Sequence, residues 1–391
     1  MKIALVSPYD FAYPGGVAHH ISYLRHYFTK WGHEVRIIAP MSGTAPNPDG
    51  FIVIGKPIPV PFSGSIARIA LSPWLSPRVK AVLNEEKFDI IHLHEPLIPM
   101  LCTTVLRLSQ TVNIGTFHAA STRPSYRWGK PFIKWLFKRW FRKLDGKIAV
   151  SESSVEYIKK HFPGHLDIIP NGVDLEHFSP DVSPIDEFCD GKLNILFVGR
   201  LEKRKGVSYL LKAYKQVKQA VPDSRLIIVG PGTRLRNKYE KHVMESGLRD
   251  VVFAGYVGYK ELPRYYKTAD IFCAPATGRE SFGIILLEAM AMGKPIVASN
   301  IAGYAGVVTP GVDGLLVPPK DEKMLAQALI SLMTDESCRQ RMGANGRLKA
   351  MEHGWERIAR RILDYYTKVL GESSHRQRGS RKVKISRFRF K

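Results

Sequence analysis

Short apolar runs alternate with helix-patterned stretches along this chain, and they do so in two separate series. In the first, Ile3–Ser7 reads as a strand, Val17–Trp31 as a helix ended by Gly32-His33-Glu34, and Val35–Ala39 as the next strand. Asp89–His94, Asn113–His118, Lys147–Ser151 and Asp167–Pro170 continue the series. Strands separated by helices are too far apart for tight turns, which predicts a parallel sheet covered on both faces. Residues 180–191, with Pro180, Pro184 and several acids, read as a linker. A second series follows: Asn194–Gly199, a helix over Gly206–Ala220, then Arg225–Gly230, Val251–Gly255, Ile271–Ala274 and Pro295–Ala298. A length of 391 residues exceeds one ordinary core. The expectation is an α/β protein of two Rossmann-like domains, 1–180 and 192–354, facing across a deep cleft lined by the loops at the strands' carboxyl ends. Residues 355–370 form an amphipathic helix expected to pack back toward the N-terminal domain, and 371–391 a basic, disordered tail. No short repeat supports a solenoid.

Charge narrows the partners. The net charge of +23 is concentrated in two places. Residues 123–147 hold nine Lys or Arg against one Asp, and residues 372–391 hold eight against one Glu. Such patches attract nucleic acid or anionic membrane. Seven aromatics interleave the first patch. On a helical wheel, Phe132, Ile133, Trp135, Leu136, Phe137, Trp140, Phe141 and Leu144 share an arc. Lys134, Lys138 and Arg142 oppose it, while Arg139 and Lys143 intrude at one edge. With Arg127, Trp128 and Lys130 just before, this reads as an interfacial helix on anionic lipid, and core packing of the same aromatics is the competing reading. Nucleic acid is not expected, because no nucleic-acid fold signature accompanies the charge. No apolar run approaches the ~20 residues of a membrane span. Met1–Pro8 is too short an apolar start for a signal peptide. Cys102, Cys189, Cys273 and Cys338 are widely spaced and show no metal pattern, as for reduced thiols in a cytoplasmic protein.

Several strand ends carry candidate chemistry. After the first strand, Gly15-Gly16 opens a helix, so that backbone N–H groups and the helix dipole could meet a phosphate. The spacing is not that of a dinucleotide fingerprint. His118 sits at a strand's carboxyl end. Gly199–Gly206 (GRLEKRKG) sets Arg200 and Lys205 where a strand hands over to a helix, and fixed cations there stabilise a leaving diphosphate. In Gly278–Ala291, Glu280 precedes a helix and Glu288 lies two turns on, about 12 Å apart at ~1.5 Å per residue. That is the length of a nucleoside diphosphate sugar, with the helix start at Ser281, Phe282 and Gly283 toward the phosphates. Glu288 stands among apolar residues, an expensive place for a carboxylate without a partner.

These motifs resemble a known family. The run E-SFG-x-x-LLEAMA-x-G-x-P-V, with PGGV (14–17), HLHEP (92–96), TFH (116–118), AVS (149–151), IPNGVD (169–174), GRLEKRKG (199–206) and IVGPG (228–232), resembles the retaining GT-B glycosyltransferases that use an E-x7-E motif. The resemblance covers roughly residues 1–370 and is strongest toward the phosphatidylinositol α-mannosyltransferases, through the start at Pro8-Tyr9, Ser65–Arg68 and His118–Thr122. It implies a GT-B fold and a hexose transfer with retained configuration. The best match is GDP-mannose as donor and phosphatidylinositol as acceptor, at the inner face of the cell membrane. It also implies roles. Gly16, beside Gly15, contacts the donor diphosphate, and Arg200 and Lys205 grip it. Glu280, with Ser281, Phe282 and Gly283, holds the sugar, and Glu288 the ribose. His118 lies beside the anomeric carbon, and Tyr9, Asp10 and Arg68 meet the acceptor. No cofactor and no catalytic metal are expected.

Two other readings stand beside this one. The same fold could carry UDP-glucose to diacylglycerol, or a hexose to a soluble or polysaccharide acceptor. A chain outside enzymology would be a nucleotide-sugar or nucleic-acid binding protein, against which the retained glutamates, His118 and Arg200/Lys205 argue. The residues alone leave the base, the sugar stereochemistry and the oligomeric state open.

Overall fold

The computed structural model describes residues 1–13, 15–43, 49–62, 65–119, 131–232 and 234–387, with backbone alone for 61, 62, 65, 73, 131–134 and 374–387. The chain divides into two compact units. The first comprises 1–150, 154–170 and 356–391, and the second 151–153 and 171–355. The boundary falls at 170/171, ahead of the expected 180, because Ile169 closes the first sheet's edge and the chain departs from there.

The first unit contains β1 (Lys2–Val6), β2 (Glu34–Ala39), β3 (Phe51–Val53), β4 (Pro57–Phe62), β5 (Ser65–Ala70), β6 (Ile90–His94), β7 (Val112–Phe117), β8 (Gly146–Ala149) and β9 (Asp167–Ile168). Seven of these form one sheet in the order β3-β2-β1-β6-β7-β8-β9, all parallel. Central strands are buried on both faces, as a covered parallel sheet requires: Ile3 to Val6, and Ile90, Ile91 and Leu93, with His92 and His94 the buried polar exceptions on β6. The order reverses between β1 and β6, and that crevice is where ligands bind in open α/β sheets.

The hairpin β4–β5 was not legible as a separate sheet. Pro57, Pro59 and Pro61 alternate along β4, opposite Ala70, Arg68 and Ile66. A strand that lacks every second N–H can pair on one side only, so it stands as an edge. An antiparallel bridge between Tyr9 and Ile69 ties this hairpin to the loop after β1.

The second unit contains β10 (Leu193–Val198), β11 (Ser224–Val229), β12 (Val251–Gly255), β13 (Ile271–Ala274), β14 (Ile296–Ser299) and β15 (Gly314–Val317). Their order is β12-β11-β10-β13-β14-β15, parallel throughout, and it reverses between β10 and β13. The helix Val207–Ala220 buries Val207, Leu210, Leu211, Tyr214 and Val217 against this sheet, the i, i+3, i+4 spacing of one helix face.

The last helix runs from Trp355 to Arg387. It belongs to the first unit from Glu356 on, and buries Ile358, Ala359, Ile362, Tyr366 and Val369 there. The segment expected to be a disordered tail from residue 371 is helical as far as Arg387. No proline interrupts it, and extending a formed helix costs no new nucleus. Among the described residues no helix is long and apolar enough to cross a membrane.

Candidate active site

Each unit gathers its sequence-predicted residues at its own switch point. In the second unit, β10 leads into Gly199 and a 3-10 turn at Lys203–Lys205, and β13 leads into the loop that carries Glu280. Gly206 has φ +76°, and a Cβ there would stand 1.8 Å from the Pro275 carbonyl oxygen. The two loops therefore touch backbone to backbone. The Thr277 amide adds a 2.7 Å hydrogen bond to the Arg204 carbonyl.

Charge pairing follows from that contact. Lys205 Nζ lies 2.8 Å from Glu280 Oε1, and Arg204 pairs with the same oxygen. Arg204 is also held by Glu202 at 2.8 Å. Arg200, the other predicted diphosphate residue, is turned outward: half its side chain is exposed, with Glu202 at 3.4 Å. Sequence reading missed Arg204, whose position between two cations of the same run carried no separate signal.

Glu288 sits in the helix Ile284–Ala291. It retains some residue surface, but burial of its carboxyl pushes the pKa up to about 7, against the opposing pull of the Tyr266 hydroxyl and the Lys205 ammonium. Tyr266 donates to Glu288 Oε2 at 2.7 Å. It is the partner that an apolar setting demands. Lys205 thus acts on both glutamates, by contact with one and through space on the other. The helix starts at Ile284, after Gly283 with φ +90°, so half of the Glu280–Glu288 interval is loop. The uniform helical spacing of 12 Å does not apply, because Glu280 to Gly283 lie outside the helix. Phe282 is buried and Ser281 half-buried. Gly303 completes the wall: a Cβ on it would stand 2.1 Å from the Glu280 carbonyl oxygen.

In the first unit, β6 ends at His94 and β7 at Phe117, directly before His118. The helix Gly16–Lys30 brings His20 against both rings, with centroids 5.2 Å from His94 and 4.9 Å from His118. His94 Nδ1 and His118 Nε2 are 3.0 Å apart. Behind them His92 bridges Thr116 Oγ1 at 2.6 Å and the Tyr366 hydroxyl at 2.6 Å. Burial lowers the pKa of His92, His94 and His118 well below the ordinary histidine value. The rings are neutral at pH 7. Glu95, buried and at φ +53°, accepts from the amides of His118 and Ala119 at 2.6 and 2.7 Å. Burial nonetheless raises its pKa to about 7.

The predicted acceptor residues also meet. The Asp10 amide donates to the Arg68 carbonyl at 2.8 Å, beside the Tyr9–Ile69 bridge. Asp10 Oδ1 accepts from the amides of Ala12 and Ser42, so part of its role is to order the loop after β1. The Arg68 guanidinium lies over the Tyr13 ring at 3.9 Å. Burial, with Glu95 nearby, raises the Tyr9 pKa well above the usual phenol value. Gly15 caps the helix start with extended backbone (φ −171°), and a Cβ there would meet nothing within 4 Å. Gly16 is that helix's first residue. Neither packing nor strain among the described atoms requires glycine at 15.

The basic aromatic segment divides in two. The helix Pro131–Lys143 turns Phe137 and Phe141 into the first unit's core, with Leu144 just after it and Trp140 packed at the edge. Of the apolar arc, Phe137, Phe141 and Leu144 are therefore core and Trp135 is exposed, while the side chains of Phe132 and Ile133 lie outside the described ones. Lys143 is likewise turned inward, donating to the carbonyls of Arg107 and Ser109 at 2.8 and 2.9 Å, where the helix Leu101–Leu108 ends. Trp135, Lys138, Arg139 and Arg142 remain exposed. Arg127, Trp128 and Lys130 lie outside the described residues, and Lys134 outside the described side chains.

Known proteins match this pattern across the chain. Residues 14–177 match the family model Glycosyltransferase Family 4, and residues 183–349 match Glycosyl transferases group 1. The phosphatidyl-myo-inositol mannosyltransferase of Mycobacterium leprae is 34% identical over 377 residues, 96% of this chain and 98% of that protein. The protein of the same name from Mycolicibacterium smegmatis is 33% identical, over 95% of each chain. A GDP-mannose-dependent monoacylated alpha-(1-6)-phosphatidylinositol monomannoside mannosyltransferase of Corynebacterium glutamicum is 34% identical over 56% of this chain and 61% of that protein. Among solved structures, the sucrose-phosphate synthase of Thermosynechococcus elongatus superposes with a TM-score of 0.77 at 23% identity, covering 95% of this chain and 99% of that one. A glycosyltransferase from Rickettsia africae gives 0.79 at 18%, covering 94% and 99%. The fold is of GT-B type, two Rossmann-like domains.

Proposed function

The chain belongs to the glycosyltransferase family that includes the phosphatidyl-myo-inositol mannosyltransferases, and from that membership we propose that it transfers mannose from GDP-mannose, with retained α configuration, to phosphatidylinositol in a membrane surface. The observation that carries the donor half is Lys205, in contact with Glu280 and acting on the buried Glu288. A buried carboxylate held by a tyrosine, next to a fixed cation, suits a ligand that is hydroxylated at its ends and anionic between them.

The second unit is assigned the donor. Glu288 accepts from the ribose hydroxyls. Lys205, with the outward-turned Arg200 swinging in, is assigned to the diphosphate, whose charge grows as the glycosidic bond lengthens, and a preorganised cation such as Lys205 is worth most at that moment. Both cations found on Glu280 fall on Oε1, so Oε2 is the oxygen to which sugar hydroxyls donate. The first unit is assigned the acceptor, through Tyr9, Asp10 and Arg68. His118 is assigned to the reacting sugar. Its neutral ring can accept a hydrogen bond there without adding positive charge beside the anomeric carbon. The acceptor hydroxyl attacks from the leaving-group face and its proton passes to the departing diphosphate. This reading needs no metal. Trp135, Lys138, Arg139 and Arg142 supply the contact with anionic lipid, which places the enzyme peripherally on the inner membrane face.

Donor choice is tested by ligand-dependent thermal unfolding of the full chain. GDP and GDP-mannose are expected to raise the midpoint more than UDP and UDP-glucose at equal concentration, since only ligands bound to the native state stabilise it. A larger shift with the uridine ligands would overturn the donor assignment.

A further inference from the structure

Three histidines meet at the switch point of the first unit, and they come from three rigid elements: His20 from the helix Gly16–Lys30, His94 from the end of β6, and His118 after β7. One ring nitrogen of each lies within 4.8 Å of the other two. A zinc-type ion binds imidazole at about 2.0–2.1 Å, which puts tetrahedral ligands roughly 3.3 Å apart. His94 Nδ1 and His118 Nε2 are already 3.0 Å apart, so closure is needed mainly of His20, by at most roughly 1.5 Å on that geometry. A side-chain rotation suffices for that.

Two further observations single out this cluster. Among the described residues Nε2 of His94 is buried without a hydrogen-bond partner, so the polar contact of that ring in the cluster is made by Nδ1, the nitrogen turned to His118. His94 and His118 also stack, with centroids 5.3 Å apart, so one ring cannot turn away without disturbing the other. Three imidazoles without a carboxylate select Zn²⁺, Co²⁺, Ni²⁺ or Cu²⁺ over Mg²⁺, Ca²⁺ or Mn²⁺. His118 is only half-buried, which leaves a side for a fourth ligand such as water.

We infer that His20, His94 and His118 form a binding site for one transition-metal dication of the zinc class. His92 supports it, because its ring lies 4.3 Å from that of His94 and is fixed by Thr116 and Tyr366. Such outer contacts hold ligating rings in place. A metal there engages the His118 ring that is assigned above to the sugar. Transfer therefore slows as Zn²⁺ is added and recovers on chelation. That second consequence rests on the proposed function, whereas metal binding itself does not.

The test is a titration of chelator-treated full-length protein with Co²⁺, read by its visible absorption, in a Cys189→Ser background so that the exposed thiol cannot contribute. The expected result is one equivalent bound with a tetrahedral Co²⁺ spectrum, displaced by Zn²⁺ and indifferent to Mg²⁺. In His20→Gln and in His94→Gln the affinity falls by at least about tenfold, with circular dichroism unchanged. If His94→Gln fails to fold, the readout is ring resonances of the native protein, where Zn²⁺ should shift three of the 13 histidines. Absence of a saturable one-equivalent site, or equal affinity in native protein and His20→Gln, overturns the inference. Metal binding without slowed transfer upholds the site and moves the sugar away from His118.

Discussion

Glu288 carries its charge against the preference of its surroundings, and pH should expose this. An unfolded glutamate titrates near 4.5 and this one near 7 when folded. Between those values the folded chain holds a proton that the unfolded chain has released, so stability from this group is full below 4.5 and is lost as pH rises through 7. Glu95 acts in the same direction. Replacing Glu288 by Gln removes the cost of burying charge. The thermal midpoint of Glu288→Gln relative to the native protein is expected to be higher at pH 8 than at pH 5, while the KM for donor rises. An equal difference at both pH values would contradict the assignment of that pKa. At Glu280 the expectation is catalytic: Glu280→Ala lowers kcat by about 10²-fold, as for other groups that act on the transition state, with an unchanged circular dichroism spectrum. Sequence reading found Glu288 because a carboxylate among apolar residues is a signal in itself, and Glu280 from its place before the helix, eight residues earlier. It could not find Tyr266 or Gly303, since neither a tyrosine 22 residues away nor a glycine after β14 announces its partner.

At the scale of elements, two helices carry separable loads. The last helix reaches the histidine cluster through Tyr366. Tyr366→Phe leaves the buried His92 Nδ1 without its partner at a cost of about 1–3 kcal/mol, and kcat for transfer should fall with donor KM unchanged. A parallel rise in donor KM would show that the helix acts on the other unit's ligand as well. The helix Pro131–Lys143 is amphipathic for two reasons at once. Phe141→Ala should cost about 3–5 kcal/mol of stability, as for a core aromatic. Joint replacement of Lys138, Arg139 and Arg142 by Gln should leave the thermal midpoint alone and weaken sedimentation with anionic vesicles by ~1 kcal/mol per charge. Unchanged sedimentation would remove this helix from the membrane assignment. Periodicity displayed the apolar arc without saying what would cover it. Core or lipid gives the same pattern, and only the burial of Phe137 and Phe141 in the first unit's core decides. The β4–β5 hairpin was illegible for the opposite reason, since alternate prolines suppress the usual strand signal.

For the whole molecule, the alternation of apolar runs and helices was enough to read two parallel sheets, and most strands lie within a residue or two of where the pattern put them. Strand order was not legible, because a sequence does not state which strand lies beside β1. It is the two reversals, β1/β6 and β10/β13, that bring the predicted loops together within each unit. The boundary at 170/171 and the helical run to Arg387 likewise depend on packing and propagation rather than on composition. The claim on which the account depends is transfer of mannose to a lipid. The direct measurement is incubation of the purified chain with radiolabelled GDP-mannose and, separately, UDP-glucose, each with vesicles of phosphatidylinositol or diacylglycerol, followed by lipid extraction. Label in the lipid from GDP-mannose with phosphatidylinositol, abolished in Glu280→Ala, is the predicted result. Label from UDP-glucose alone, or donor consumed with no label in any lipid, would contradict it.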